Sequence, residues 1–473
     1  MTTANSTHQY AAFFSSLSLA AIPQDVQRLG KLLILDTLGC MAAGARTAHA
    51  DKIKQIAMLF AGPGEVSQAG LDQLQGAVRA AYVNARLANL LDFDETYPVG
   101  VHFGIAAVIA AVAGVQVRQE NMGQVLCAAI AGYEAGARMA SAVGPMMTVT
   151  DGAVTGFSRV WGVAAPVVIA ACVAYGHALK ITPQVLHQAL GIAGSNIPLP
   201  IGSKWSEATH LPDVKYCDAG WCTVTAIHGV HSALAGLTGF EDILEGESGI
   251  PEAYSAVMAD PAQLHRGLGQ RWHLPDLTFK PWPSCRFMHA PMSALKRLLT
   301  RHGVKPSEID EIVVYTGPLA NSARFRNSAP RTFSGYQFSY AHACAMLAMN
   351  VPAGADWFDE AIAESDIALG LRSKVRIEYL DAASGFARHM VDNQIRVMPG
   401  AARVRTARGD WYLQCDYADG DPWDSEARFN DDDVINKFLV GNPGEKARGF
   451  SQWFEASDAH SALDPLTTFI REL

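Results

Sequence analysis

Residues able to transfer protons are concentrated between positions 84 and 102. Asp92, Thr96 and Tyr97 follow one apolar stretch, and His102 directly precedes a second. A core helix does not need such groups, because burying a polar side chain without a hydrogen bond costs free energy. A functional site is the simplest reason to retain them, with a carboxylate or the imidazole serving as general acid or base.

Other polar residues interrupt apolar segments further along the chain. The first is Arg86, and the next are Ser158 and Arg159, which follow a Gly-Phe pair. Lys204 and Lys215 precede a predicted helix. The run 280–289 contains Lys280, Cys285, Arg286 and His289. Each has a structural interpretation as well. The aspartates and Ser158 could cap helices, the histidines could be buried structural groups, and the cations could lie on the surface. Cys285 could be a small core residue.

A set of cations near predicted loop–helix junctions would suit a substrate with several carboxylates: Arg86, Arg159, Lys215, Lys280 and Arg286. Arginine binds a carboxylate through two parallel hydrogen bonds, and helix N-termini add partial positive charge. A carbon acid next to a carboxylate needs a positioned base, and cations to hold the growing negative charge. His102 and Lys215 could supply base and acid if their surroundings depress the pKa of the lysine.

Composition bounds the protein class. The 473-residue chain has 49% hydrophobic and 18% charged residues, which is typical of a globular protein large enough for more than one domain. A formal net charge of -9 disfavours nucleic acid as a partner. The apolar stretches 105–115 and 160–175 fall short of the ~20 residues that span a bilayer, so no membrane segment is expected.

Cysteine usage and the N-terminus predict a cytoplasmic protein. The eight cysteines are scattered and form no CxxC pair, so we expect reduced thiols and no zinc cluster. No Lys or Arg precedes Arg28, which disfavours a secretory signal or presequence. His228 and His231 share a helix face without a third metal ligand nearby. Motifs for phosphate, dinucleotide and metalloprotease sites are absent.

The pattern of apolar residues predicts helices through most of residues 1–275. The clearest are 28–44, which ends in a glycine suited to a C-cap, then 123–143, 161–177, 182–194 and 219–237. Abundant Ala and Gly indicate helices that approach each other closely. Thr182-Pro183 is typical of a helix start. The fold class is therefore mainly α in this part of the chain.

The pattern changes near residue 275. Strands are predicted at 309–315, 374–380, 393–398 and 403–413, with the last two joined by Pro399-Gly400. Helices are predicted between them at 290–302, 340–349 and 357–370. We therefore expect a smaller α+β domain over 276–415. A helix at 431–439 and a helical segment at 449–473 follow, and residues 425–473 are expected to return to the first domain.

A series of short motifs, taken in order along nearly the whole chain, resembles the MmgE/PrpD family. The motifs are Leu35-Asp-Thr-Leu-Gly39, Leu91-Asp-Phe-Asp-Glu-Thr96, His102-Phe-Gly104, Gly132-Tyr-Glu134, Lys215 with Ala219-Gly-Trp221, Lys280-Pro-Trp-Pro-Ser-Cys-Arg286 with His289, and Gln337-Phe-Ser-Tyr340. Members of the family include 2-methylcitrate dehydratase, cis-aconitate decarboxylase and iminodisuccinate epimerase.

The resemblance implies a large all-α domain with a smaller α+β lid, usually in a homodimer, and no metal or organic cofactor. It implies a site between the domains, with Asp92, Thr96, His102 and Lys215 on one side and Lys280 and 285–289 on the other. We therefore expect two groups of site residues. The predicted catalytic residues are His102, Lys215, Asp92 and His289. The predicted substrate-binding residues are Arg86, Thr96, Tyr97, Ser158, Arg159, Lys280, Cys285 and Arg286.

Three positions depart from the family pattern, and they bear on the reaction. Ser158, Tyr97 and Asn89 stand where dehydrating or decarboxylating members often carry His. A serine does not replace an imidazole as a proton donor near neutral pH. An epimerase, in contrast, removes and returns a proton at one carbon and has no leaving group to protonate.

The sequence is therefore compatible with three functions. The first is a cofactor-independent lyase, of the dehydratase or decarboxylase type, which removes a proton next to a carboxylate of a small di- or tricarboxylic acid. The second is an epimerase or isomerase that uses the same proton abstraction. The third is a non-catalytic member of the family that acts as a binding dimer.

Overall fold

The computed structural model describes residues 6–60, 62–98, 100–150, 153–159, 161–255, 259–318, 322–385 and 390–473. The helices of its first half are α1 Ser6–Ser16, α2 Gln24–Ala45, α3 His49–Ile56, α4 Ala77–Asn89, α5 Gly104–Arg118, α6 Met122–Val143, α7 Ala164–Ala178, α8 Pro183–Gly194, α9 Gly202–Glu207, α10 Ala219–Leu234 and α11 Ile250–Tyr254. Those of its second half are α12 His289–His302, α13 Ala323–Arg326, α14 Phe333–Gln337, α15 Tyr340–Ala348, α16 Glu360–Ala363, α17 Asp366–Arg372, α18 Asp431–Gly441, α19 Glu445–Ala456 and α20 Asp464–Arg471.

The strands are short in the first half and form one larger sheet in the second. They are β1 Val66–Gln68, β2 Leu71–Gln75, β3 Met147–Thr150, β4 Ala153–Phe157, β5 Ile309–Thr316, β6 Val375–Tyr379, β7 Gly400–Thr406 and β8 Gly409–Cys415. The predicted class, mainly α with a smaller α+β part, is confirmed. The first half is not purely α, however, because β1–β2 and β3–β4 form antiparallel pairs between its helices.

Small residues build the helical core. Every residue of α7 is buried, as are nearly all residues of α5 and α6. A Cβ atom on Gly132 of α6 would lie 2.6 Å from the carbonyl oxygen of Ala170 in α7. A larger residue there would push the two helices apart, so the abundance of Ala and Gly permits this close packing.

Side-chain caps mark the starts of α8 and α10. Thr182 accepts a hydrogen bond from Val185 N at 3.3 Å and Asp218 accepts one from Trp221 N at 3.0 Å, so α8 and α10 begin where predicted. The prediction of Gly44 as a C-cap was wrong. Gly44 lies inside α2, and its missing side chain lets the Leu87 carbonyl of α4 approach.

The second half contains a mixed sheet in the order β6-β5-β7-β8. Strands β5 and β6 pair in parallel, while β7 lies antiparallel to β5 and β8. The predicted strand over 403–413 was wrong, because the chain turns between Thr406 and Gly409 and forms the β7–β8 hairpin. The predicted strand over 393–398 is not one either. There Gln394 donates to the Tyr97 hydroxyl and, at 3.1 Å, to Asp276.

Two predicted helices are interrupted by new N-caps or turns. The segment 357–370 divides into α16 and α17, because Asp359 and Ser365 each cap a separate helix. The segment 449–473 divides into α19 and α20, with a turn at 457–463 in which Asp458 N donates to Ser461 Oγ at 3.0 Å.

The end of the chain packs against its beginning. In α18, Lys437 lies 2.5 Å from Asp36 of α2, and Asn442, directly after α18, donates to Gly39 O at 3.0 Å. None of the helices within the described ranges is both long enough and apolar enough to cross a bilayer. The domain boundary near residue 275 stays a prediction.

Candidate functional site

A buried carboxylate between two ammonium groups forms the centre of the candidate site. Asp92 Oδ1 lies 2.5 Å from Lys215 Nζ, and Asp92 Oδ2 lies 3.1 Å from Lys280 Nζ. The two lysine side chains are 2% and 0% exposed. Lys215 also donates to Asn89 O at 3.0 Å, and Lys280 donates to Ser284 O at 3.2 Å. These contacts join the turn after α4, the loop before α10 and the segment before α12.

The backbone and the charges at Asp92 are both unusual. Asp92 has φ 54°, a left-handed conformation that non-glycine residues adopt rarely and mostly at functional or tightly constrained positions. Burial acts to raise the pKa of this carboxyl, but Lys215 and Lys280 outweigh it and hold the pKa well below its ordinary value. Asp92 is therefore an anion that balances one of its two ammonium neighbours.

His102 is held as a neutral imidazole with a defined tautomer. Its Nδ1 lies 2.5 Å from the backbone oxygen of Glu95, which can only accept, so Nδ1 carries the proton and Nε2 holds a lone pair. Burial lowers the pKa of His102, and the charge of Lys280 lowers it further. The Asp94 and Asp92 carboxylates act in the opposite direction.

Neighbouring acidic residues fix this imidazole in place. Asp94 Oδ2 lies 3.6 Å from His102 Nδ1 and accepts a hydrogen bond from Asn89 Nδ2 at 2.8 Å. Glu95 Oε1 accepts from the backbone N of Phe103 at 3.1 Å and of Gly104 at 2.6 Å, at the start of α5. The strand-like turn before His102 is thereby tied to the helix after it. Asp94 and Asn89 were not predicted as site residues.

A cavity of about 30 Å³ adjoins this histidine. It is lined by the predicted residues Thr96, His102, Cys285 and Arg286 and by aromatic side chains, including Phe157, Trp161, Trp205, Tyr216, Phe287 and Phe338. Burial raises the pKa of Cys285 to about 12, so its thiol is protonated near neutral pH. Aromatic walls exclude water, which strengthens electrostatic interactions inside the cavity.

Arg286 is positioned by a buried aspartate. Its Nη2 donates to both carboxylate oxygens of Asp421, while its Nη1 is buried with no acceptor among the described residues. Asp421 also accepts from Thr278 Oγ1 at 2.9 Å. Thr278 and Thr96 exchange backbone hydrogen bonds at 3.0 Å, which connects this group to the cavity wall.

Arg324 also lines the cavity, although it was not predicted as a site residue. Arg324 belongs to the short helix α13, which lies far from the Lys280 motif in the sequence. Burial lowers its pKa to about 10, so it remains a cation near neutral pH. A single arginine between Ala323 and Phe325 carries no spacing signal, which is why sequence reasoning missed it.

Several predicted site residues lie away from this cavity. The Tyr97 hydroxyl is in a separate buried network with His273 Nδ1 at 2.6 Å and Ser141 Oγ at 3.2 Å. Arg86 lies 3.6 Å from Asp218, at the start of α10. Arg159 is exposed, and its backbone oxygen accepts from Ser203 N.

Two further predicted residues lie close to the site without lining the cavity. His289 is fully buried with its Nε2 3.0 Å from Ser284 Oγ, and Lys280 donates to the backbone oxygen of that same serine. Burial, and then Lys280 and Arg286, hold the pKa of His289 well below its ordinary value. Ser158 Oγ is buried without a partner among the described residues, next to the lining residue Phe157.

Metal-ligand geometry is not found in the part of the chain that the structure describes, where no three His, Cys, Asp or Glu side chains are grouped to hold an ion. His231 Nε2 lies 2.9 Å from the Tyr175 hydroxyl, and His228 Nε2 lies 3.5 Å from Ser232 Oγ. These two histidines have structural partners.

Comparison with known proteins finds distant relatives that align with part of this chain. It is 27% identical over 308 residues to a cis-aconitate decarboxylase of Aspergillus terreus strain NIH 2624 / FGSC A1156, and 26% identical over 313 residues to a second one from Aspergillus terreus. Each alignment spans 63% of this chain and 60% of the relative. Residues 8–261 match the MmgE/PrpD N-terminal domain and residues 282–440 match the MmgE/PrpD C-terminal domain. The chain therefore belongs to the MmgE/PrpD family.

Proposed function

We propose that this protein is a cofactor-independent lyase that acts on a small di- or tricarboxylic acid by proton transfer at a carbon next to a carboxylate. The observation that carries the proposal is the neutral His102, whose Nδ1–H is committed to Glu95 O and which lines the cavity. Its Nε2 lone pair is then the base. The distant similarity to cis-aconitate decarboxylases supports a substrate of this class.

His102 and the neighbouring ammonium groups can supply every proton transfer that an elimination needs. His102 Nε2 removes the proton, and the electron pair spreads into the adjacent carboxylate, where cations stabilise it. The bond to the leaving hydroxyl breaks as that oxygen takes a proton from an ammonium such as Lys215, and water departs. In a decarboxylation the carbon–carbon bond breaks instead, carbon dioxide leaves, and the carbon that gains the electron pair takes a proton from a lysine ammonium such as Lys215.

An epimerase is the second candidate, favoured by the surroundings of Tyr97 and Ser158, two of the three positions that depart from the family pattern. The Tyr97 hydroxyl is engaged with His273, and Ser158 does not line the cavity. His102 is thus the histidine that lines this cavity among the described residues. An epimerase needs proton removal and return at one carbon, for which His102 and Lys215 suffice.

Incubating the protein with small polycarboxylates in heavy water separates the candidates. Loss of water or carbon dioxide in the product, followed by NMR and mass spectrometry, supports the lyase. Deuterium in a product of unchanged formula supports the epimerase. Binding without either change supports a non-catalytic binding dimer and contradicts both enzyme proposals.

Replacing the proposed base tests its role directly. His102→Gln should lower turnover or exchange by roughly 10²- to 10⁴-fold, because the base is lost, while substrate binding persists. His228→Gln is the matched control, since His228 is exposed on α10. Equal activity in the two variants would remove His102 from the mechanism.

A further inference from the structure

Arg324 is a buried cation that has no counter-ion among the residues that the structure describes. It is 3% exposed, and its guanidinium lies 4.7 Å from the ring centres of Phe157 and Phe325 and 5.2 Å from that of Trp205. No carboxylate of the described residues lies within ion-pair distance of it. A buried charge is normally paired, because removing it from water is costly.

Its hydrogen bonds are also incomplete. Nη1 donates to Ser206 O at 2.8 Å and to Ser322 Oγ at 2.6 Å, which holds the group in place. Nε is buried and has no acceptor among the described residues. A guanidinium presents its N–H donors as a planar fork that matches a carboxylate, so this unused donor fits an anionic ligand.

Each of the other cations near the cavity already contacts a carboxylate. Lys215 and Lys280 share Asp92, and Arg286 is bound to Asp421. Arg324 differs from them in facing aromatic rings and neutral oxygens. It is therefore the cation on this cavity wall that is best placed to gain a carboxylate from a ligand.

We propose that Arg324 binds a carboxylate of the substrate inside the aromatic cavity, with Nε as one of the donors, and that this contact selects acids with a second carboxylate beyond the reacting carbon. The inference rests on the proposed function for its substrate class. The aromatic rings exclude water and fix the orientation of the guanidinium, so an incoming carboxylate meets a desolvated, fixed donor. A site built around such a donor rejects analogues that lack the matching group.

Calorimetric binding of two acids tests the proposal, with cis-aconitate and maleate as the probes. cis-Aconitate is maleate with an added carboxymethyl arm. All measurements use the His102→Gln background, so that a bound acid is not converted. Arg324→Gln should weaken cis-aconitate binding by roughly 100-fold, and Arg324→Lys by about tenfold, because a lysine keeps the charge but loses the fork.

The maleate result identifies which carboxylate is bound. Unchanged maleate affinity assigns Arg324 to the added arm, and a parallel loss assigns it to a carboxylate that both acids share. Arg331→Gln is the matched control, because Arg331 is an exposed arginine of the same segment and does not line the cavity. Thermal unfolding monitors folding of each variant, and Arg324→Lys serves alone if the glutamine variant does not fold.

Equal affinities of the Arg324 and Arg331 variants for both acids would overturn the inference, as would binding of neither acid to any form. The proposed function fails separately. If binding depends on Arg324 but protein with His102 intact neither converts nor exchanges any acid in heavy water, only the catalytic proposal is contradicted.

Discussion

The hydrogen bond from His102 to the Glu95 backbone determines which nitrogen is free to act. The carbonyl oxygen accepts from Nδ1, so the lone pair is on Nε2 without any need to assume a tautomer. Asp94, held by Asn89, lies 3.6 Å from the same Nδ1 and stabilises the imidazolium that forms when Nε2 takes a proton. The aspartate is therefore a positioning and electrostatic residue.

Removing this carboxylate should move the pH dependence of the reaction in a defined direction. Burial and Lys280 lower the pKa of His102, so the acid limb of kcat/KM should fall below pH 6.5. Asp94 acts to raise that pKa, together with Asp92, while Lys215 lowers it. Asp94→Asn should therefore shift the acid limb to still lower pH and reduce the plateau rate by about tenfold or more.

A pH–rate profile of both forms is the measurement. Asp410→Asn provides the comparison, because Asp410 pairs with Arg403 on the exposed face of the β7–β8 hairpin and should leave the profile unchanged. An acid limb that moves to higher pH in Asp94→Asn, or a wild-type limb above pH 6.5, would contradict the assignment of His102 as the base.

The sequence identified part of this site because some signals are local. A run of acids and hydroxyls before His102 is visible without a structure, as are the lysines of the later motifs. Arg324 is different, because only tertiary packing decides whether an arginine is buried among Phe157, Phe325 and Trp205. Tyr97 is the reverse case: it lies in the predicted motif, but its hydroxyl is turned toward His273.

The close contact between α2 and α4 positions one wall of the site. A Cβ atom on Gly44 would lie 2.2 Å from Leu87 O, which is backbone and has little freedom to move. Two residues later α4 ends at Asn89, whose carbonyl accepts from Lys215. The packing of these helices is therefore transmitted to the Lys215 ammonium.

Gly44→Ala should displace α4 and lower the free energy of unfolding by about 1–3 kcal/mol, through overpacking. Activity should fall as well, because Asn89 and Lys215 lose their alignment. Urea denaturation and turnover measure the two effects. Gly449→Ala in α19 is the control, since its Cβ would meet no atom within 4 Å and alanine favours a helix. Equal stability of the two variants would show that the α2–α4 contact has room to relax.

Elements with a strong periodicity of apolar residues or a capping residue were predictable from the sequence. Elements determined by contacts between residues far apart in the sequence were not. Thr182 and Asp218 cap helices through neighbours three residues away, so the sequence contains the whole interaction. The segment 393–398 has alternating residues typical of a strand, yet Gln394 is bound to Tyr97 and Asp276, which both lie far from it in the sequence. Tertiary hydrogen bonds overrode its local preference.

On the scale of the whole molecule, the two ends of the chain meet beside the site. Lys437 of α18 lies 2.5 Å from Asp36 of α2 and donates to Phe93 O at 2.7 Å, and Phe93 directly follows Asp92. Burial acts to lower the pKa of Lys437, but the Asp36 carboxylate outweighs it and raises that pKa. The ammonium thus links the first long helix, the Asp92 turn and the last part of the chain.

Lys437→Met should lower the free energy of unfolding by about 3–5 kcal/mol, because it leaves Asp36 buried without a counter-ion. The double variant Asp36→Asn/Lys437→Met should recover part of the loss, since no charge is then buried. Activity should fall in the single variant as the turn at Phe93 loosens. The loss should also diminish as the pH is lowered, because protonation neutralises the unpaired Asp36. Urea denaturation at several pH values measures both effects, and a double variant less stable than Lys437→Met would show that the ion pair does not hold these segments together.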